Sequence, residues 1–151
     1  MIKEYMEAKI KVCLASVDAV MPTLKNDGDA GMDLCSIEDK VIKSMSFCTI
    51  NTGLKFEIPK GYEIQIRPRS GLASKYGISV LNTPGTIDSG YRGEVKVILF
   101  NFSENDFVVE KGMRICQMVV SKLDNFELEK VDFIDENSER NVGGFGSTGL
   151  K

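Results

Sequence analysis

The chain has 151 residues, the length of one domain with a proper core, and its 19 Lys plus Arg against 22 Asp plus Glu leave a formal charge of −3. Such a mildly acidic chain has no overall field to hold a nucleic-acid backbone, and no run approaches the ~18 apolar residues of a membrane span. With no histidine, a Ser-His-Asp triad, a Cys-His pair and His-ligated zinc or iron are excluded; chemistry falls to carboxylates, Ser, Lys, Tyr, Cys and backbone amides.

A hydrophobic fraction of 42% with 27% charged residues describes a globular chain. The N-terminal Met1-Ile2-Lys3-Glu4-Tyr5 lacks a signal peptide's apolar core, so a cytoplasmic location is expected. The four cysteines, Cys13, Cys35, Cys48 and Cys116, form no CxxC pair, which suits a reducing compartment. Cys13 and Cys116 lie in apolar runs and are expected in the core.

In residues 9–14, Ile10, Val12 and Leu14 alternate with Lys9, Lys11 and Cys13, as in a half-buried strand. Asp27, Asp29 and Asp33 follow near Gly28 and Gly31; loop aspartates are usually turn formers, and spacing alone makes them a weak metal candidate. Leu54, Phe56 and Ile58 alternate with Lys55 and Glu57, then Pro59-Lys60-Gly61 turns the chain into a second alternation at Tyr62, Ile64 and Ile66. The pair predicts a hairpin. Residues 70–77 predict one short helix, with Ser70 capping its start and Gly77 ending it.

Residues 64–87 contain no Asp or Glu but hold Arg67, Arg69 and Lys75. Backbone N–H groups at Ser70 and Gly71, with glycine's close approach, make an anion site at Arg69-Ser70-Gly71 reasonable. A solvated basic turn accounts for the window equally well. Residues 81–94 carry Pro-Gly and Ser-Gly turns that hold Asn82, Asp88 and Tyr91 on or beside a hairpin. There an Asn amide can read a base edge and a carboxylate can take a proton from water, although Asp88 alone reads first as a turn residue. Residues 95–102 and 115–120 are near-continuous apolar runs, expected as strands buried on both faces. Many short strands with almost no helix predict an all-β sandwich or barrel-like fold.

The tail differs in kind. Residues 131–140 are polar and acid-rich, and residues 140–149 hold four of the chain's 14 glycines. Such a segment cannot bury enough surface to fold alone and is expected to be mobile unless something orders it. A basic residue, a lone aromatic and a Gly-Ser-Thr cluster also suit a lid over a phosphate-bearing ligand.

Five segments, in order and at matching spacing, resemble the homotrimeric dUTPases: Asp29-Ala30-Gly31-Met32-Asp33-Leu34, Arg67-Pro68-Arg69-Ser70-Gly71-Leu72-Ala73, residues 82–93, Gly112-Met113-Arg114-Ile115-Cys116-Gln117, and Gly143-Gly144-Phe145-Gly146-Ser147-Thr148-Gly149 with Arg140 ahead of it. Singly each is weak; five in register, from about residue 8 to residue 149, are very specific. The resemblance implies hydrolysis of dUTP to dUMP and pyrophosphate, with Mg²⁺ carried on the triphosphate. It implies an all-β, jelly-roll-like β-clip subunit with a core over residues 1–136 and a C-terminal arm over residues 137–151. Three such subunits would form a homotrimer with active sites at their boundaries, and neither nucleic acid nor membrane is an expected partner.

Carried over by position, the resemblance makes Asp88 the base that orients and deprotonates the attacking water. Asn82 would read the uracil edge with backbone groups of Gly85, Thr86 and Ile87, whose close hairpin would reject thymine's methyl. Tyr91 would pack against the deoxyribose and leave no room for a 2′-hydroxyl. Arg69, Ser70 and Gly71, from a neighbouring subunit, would hold phosphate oxygens with Gln117 near the α- or β-phosphate. Phe145 would stack over the uracil as the arm closes, with Arg140, Gly146, Ser147 and Thr148 at the γ-phosphate end, and Asp33 would touch Mg²⁺ only through water. Asn141 departs from the Gly that many relatives carry after the Arg, and Cys116 stands where Ala is frequent, a packing position.

A dCTP deaminase, which shares the fold, is the nearest rival. It needs a proton-moving carboxylate at the position of Ile98, and an isoleucine cannot supply it. A non-catalytic binding domain would be expected to have lost Asp88 or the arm, and both are present. A purely structural jelly roll gives no reason for Asn82, Tyr91 and Phe145 to accompany the basic turn.

Overall fold

The structure, a computed structural model, describes residues 8–151, so the reading of Met1 to Tyr5 lies outside the described residues. In chain order these residues form β1 (Lys11–Leu14), β2 (Gly31–Cys35), β3 (Lys40–Ile42), β4 (Ser46–Asn51), β5 (Leu54–Glu57), β6 (Tyr62–Arg67), α1 (Ser70–Tyr76), β7 (Ile78–Val80), β8 (Gly85–Ile87), β9 (Lys96–Asn101), β10 (Phe107–Val109) and β11 (Arg114–Lys122). The strands make four antiparallel sheets, in the orders β2-β11-β6-β8, β4-β9-β7, β1-β5 and β3-β10. Most neighbours are distant in sequence, as in a jelly roll. The expected all-β class with one short helix is what the chain adopts, and among the described residues no helix is long and apolar enough to cross a membrane.

Alternation in the sequence becomes a core with one inward face per strand. Leu34, Ile42, Ile50, Leu54, Ile64 and Leu99 are fully buried, each stabilising the fold by about 1.5–3 kcal/mol relative to exposure. The polar interior is satisfied too. Buried Asn101 donates from Nδ2 to the carbonyls of Ile42 and Asn105 at 2.9 and 2.8 Å, and its Oδ1 accepts the Ser103 N–H at 2.9 Å.

Four expectations are corrected. The strands on either side of Pro59 exist but form no hairpin with each other: β5 pairs with β1, and β6 runs between β11 and β8. A period of two says which face is buried and leaves the partner open. Cys13 is exposed, because β1 turns Val12 toward the core and Lys11 outward, where Lys11 Nζ meets the cross-strand Glu57 at 2.9 Å. In this chain β9 and β11 are not buried on both faces; Ile98, Phe100, Gln117 and Val119 are only half-buried. Finally, Ser70 is the first helical residue and not the cap. Arg69 holds the N-cap position, with extended backbone and no capping side chain, while its carbonyl accepts the Ala73 N–H at 3.0 Å. Gly77 does end the helix, at φ 65° with its N–H on Ala73 O.

Glu38 gives the fold an acid limb. Partial burial alone would raise its pKa, but the Asn51 backbone N–H at 2.9 Å, Lys40 Nζ at 3.2 Å and Asn51 Nδ2 at 3.3 Å outweigh it, and the carboxyl sits below its ordinary value. A depressed folded pKa contributes stability above the unfolded carboxylate pKa, and that contribution is lost as pH falls through the folded value. Glu38→Gln is expected to cost about 0.5–1 kcal/mol at pH 7 and less near pH 3, as read from thermal melts at the two pH values. An equal cost at both would remove the ionised carboxyl from this account.

Beyond β11 the Leu123 N–H still bonds Gly61 O at 2.8 Å. After it the chain is exposed apart from half-buried Gly143 and Gly144. The backbone hydrogen bonds of residues 136–149 are local, such as Gly143 N–H to Arg140 O at 3.0 Å and Ser147 N–H to Gly144 O at 3.0 Å. Asn141 has φ 47°, a left-handed conformation that Asn tolerates better than most residues, which fits its standing where Gly is frequent.

Candidate active site

The short strand β8 lies antiparallel on β6, with Ile64 opposite Ile87 and Ile66 opposite Gly85. Turns flank it: the Thr83 N–H bonds Val80 O and the Tyr91 N–H bonds Asp88 O, both at 3.1 Å. Between this segment and β9 opens a cleft of about 200 Å³, lined by Asn82, Gly85, Thr86, Ile87 and Tyr91 together with residues of β6, β7 and β9. A Cβ at Gly85 would lie 3.2 Å from Ile66 Cβ and 3.6 Å from Asn82 Nδ2. Glycine therefore lets the backbone lie close on β6 with the Asn82 amide beside it. Ile98, the position a deaminase would need as a carboxylate, is an apolar part of the wall. Asp88 sits in the exposed turn directly after Ile87.

A second cluster forms across the other side of the same sheet. On β11, Gln117 is opposite Asp33 of β2 on one side and Arg67 of β6 on the other. Asp33 Oδ1 accepts from Arg69 Nε at 3.0 Å, Asp33 Oδ2 lies 3.6 Å from Arg114 Nη1, and Arg69 Nη1 donates to Arg114 O at 3.1 Å. One carboxylate thus orients two guanidinium groups, and with Arg67 nearby the cluster keeps an excess of positive charge for an anion. Gln117 donates from Nε2 to Pro68 O at 2.9 Å. A side chain at Gly31 would displace the Gln117 Oε1 end that lies over this glycine. Ser70 and Gly71 are exposed at the start of α1, and a Cβ at Gly71 would meet nothing within 4 Å.

Arg114 and Gly31 carry parts of this geometry that spacing did not assign. Arg114 stood inside a recognised segment, but only the β2–β11 pairing, with its irregularity between Arg114 and Cys116, reveals that it shares Asp33 with Arg69. Cys35 lies close by, where burial pushes its thiol pKa up against the opposing pull of Arg114. Cys116 is fully buried and burial pushes its thiol far up. That is a packing residue without thiolate chemistry.

The donor set suits a Mg²⁺ ion that arrives on phosphates better than one caged by protein. Among the described residues no three Asp, Glu or Cys side chains converge. Asp33 and Asp29 line a cleft of about 330 Å³ with Gln117, and Asp33 already faces two guanidinium groups. Hard oxygen donors that can act through water are what such an ion needs.

The two clusters are not brought together within one chain. Arg69, Ser70, Gly71 and Gln117 are not among the residues that line the cleft holding Asn82 and Tyr91. Arg140, Phe145, Gly146, Ser147 and Thr148 lie on the exposed arm, and the Phe145 ring is fully exposed.

Comparison with known proteins agrees over nearly the whole length. A family model described as dUTPase matches residues 18–149. The chain is 52% identical over 143 residues to the deoxyuridine 5′-triphosphate nucleotidohydrolase of Clostridium tetani, covering 95% of this chain and 98% of that one. With the protein of the same name from Clostridium acetobutylicum it shares 53% identity over 133 residues, or 88% and 91% of the two chains. Among solved structures it is similar to the dUTPase of Staphylococcus bacteriophage 80alpha with dUPNHPP, at a TM-score of 0.86 and 30% identity, over 94% of this chain and 99% of that one.

Proposed function

The chain belongs to the dUTPase family, and from that membership and the cleft on β8 we propose that it hydrolyses dUTP to dUMP and pyrophosphate. The observation that carries the reading is the cleft itself: an amide, a backbone hairpin and a tyrosine around a space of about 200 Å³. Asn82 offers donor and acceptor to the uracil edge. Thymine's methyl is refused because the hairpin cannot retreat, with the Gly85 backbone already lying close on Ile66. Tyr91 closes the sugar end against a 2′-hydroxyl. Both selections act by clash and so discriminate without added contacts.

Asp88 follows the hairpin directly and is the group to orient a water and take its proton as that water attacks the α-phosphorus. Arg69, with Ser70, Gly71 and Gln117, holds phosphate oxygens, and the Asp33 pairing fixes the guanidinium before the ligand arrives, so stabilisation of the developing charge needs no reorganisation. Asp33, acting through water, would hold a Mg²⁺ carried on the triphosphate, and that ion would supply neutralisation of phosphate charge. The arm, residues 137–151, brings Phe145 over the base and Arg140, Gly146, Ser147 and Thr148 to the γ-phosphate. The working unit in this reading is a homotrimer, as the family resemblance implies, and a cleft, a cation cluster and an arm that one chain keeps apart support an active site shared between subunits. In a cytoplasmic setting the reaction would keep uracil out of DNA and supply dUMP for thymidylate synthesis.

Incubation with Mg²⁺ and dUTP, dTTP, dCTP or UTP separately, following pyrophosphate and ammonia, tests the proposal. Pyrophosphate is expected from dUTP at least about 10²-fold faster than from the others. Ammonia from dCTP would overturn the argument from Ile98, and silence from all four would leave a binding domain.

A further inference from the structure

A wall that selects by clash works only if it cannot move, and the Tyr91 ring is 47% exposed, so the cleft alone does not hold it. Two contacts do. A Cβ added at Gly93 would lie 2.5 Å from Tyr91 Oη and 2.7 Å from Cζ, closer than a real Cβ contact, so the end of the ring lies against the glycine backbone. The hydroxyl is engaged as well, donating to Glu94 O at 3.0 Å. Glu94 is pinned in turn by its side chain, which accepts the Gly53 N–H at 3.1 Å. Val95 continues the attachment: its N–H bonds Leu54 O at 2.8 Å and its carbonyl accepts from Thr52 Oγ1 at 2.6 Å, with Thr52 fully buried. Gly53 is wedged at φ 67°, where a Cβ would come within 2.9 Å of Ser16 Cβ.

We propose that Gly93 and Glu94 are positioning residues that fix the Tyr91 ring against the core and thereby set the discrimination between deoxyribose and ribose. The inference rests on the reading of Tyr91 as the sugar wall. A side chain at position 93 would push the ring off its seat, and loss of the Glu94 carboxylate would remove one of the two ties, beside the Val95 N–H bond to Leu54 O, on the peptide unit whose carbonyl anchors the hydroxyl. In either case the wall yields to a 2′-hydroxyl, and the penalty falls on selectivity before it falls on hydrolysis of dUTP.

The experiment compares kcat/KM for dUTP and UTP, by pyrophosphate release, in the full-length protein with Mg²⁺. The ratio of two substrates on one preparation is independent of the folded fraction, so a loss of stability does not imitate the effect. Tyr91→Ala is expected to lower the ratio at least about tenfold, Gly93→Ala by a similar factor and Glu94→Ala several-fold. Glu94→Gln keeps an oxygen for the Gly53 N–H and is expected to stay within about twofold of wild type. An unchanged ratio in Gly93→Ala and Glu94→Ala beside a lowered one in Tyr91→Ala would overturn the inference and leave the sugar wall standing. An unchanged ratio in Tyr91→Ala would remove both.

Discussion

Asp88→Asn is expected to bind dUTP within about threefold of wild type while kcat falls about 10²–10⁴-fold, the range that a positioned base contributes. The substitution keeps size and polarity and removes the negative charge together with the ability to accept a proton. The turn survives it, because the contact that Asp88 makes there is through its backbone carbonyl, bonded by the Tyr91 N–H at 3.1 Å, and Asn is as good a turn former. The cleft residues are untouched, so the loss appears in turnover and not in affinity. Pyrophosphate release under single-turnover conditions, paired with calorimetric titration of dUTP, separates the two quantities. Near-normal turnover would mean that another group takes the proton.

Removal of residues 140–151 is expected to leave the melting temperature within about 2 °C of the full chain and to lower kcat/KM for dUTP at least about 10²-fold. The first half follows from exposure: the arm is held by bonds between its own close neighbours, and Phe145 buries nothing against the chain that carries it. The second half follows from the role proposed for the arm, an aromatic cover over the base and a cationic clamp on the phosphates, together with the exclusion of water that closure would bring. Melting curves and steady-state kinetics on the truncated chain read the two halves independently. A truncated chain with full activity would take the arm out of the mechanism, and one that no longer folds would give it a structural role instead.

Much of this was readable from residue order, and what was not has a common cause. The alternation at Tyr62, Ile64 and Ile66 places a strand and its buried face correctly, since a period of two is a local property. That β6 then pairs with β11 and β8, and not with the strand before it, depends on how the remaining apolar faces meet, which no window contains. Cys13 was misplaced for a related reason, because an apolar neighbourhood does not say which member of the alternation faces out. In the candidate site, the segments that carry Arg69, Asn82 and Tyr91 stood out in residue order, whereas the sharing of Asp33 by Arg114 became visible only once β11 lay beside β2. Gly93 was the hardest of all. A glycine in a turn is ordinary in sequence, and only the ring lying against it gives it meaning.

The row formed by Asp33, Gln117 and Arg67 also bears on how the molecule comes into being. Asp33 and Arg69 are 36 residues apart and Gln117 and Pro68 are 49 apart, so these bonds close only after three remote strands have docked. Chains dominated by such long-range pairings fold in milliseconds to seconds, more slowly than chains of local contacts. During that interval, and on a ribosome that has not yet released residues 114–122, Arg69 and Arg67 are mere basic residues in solution. The charges of this row therefore stand together only in a chain whose remote strands have already paired.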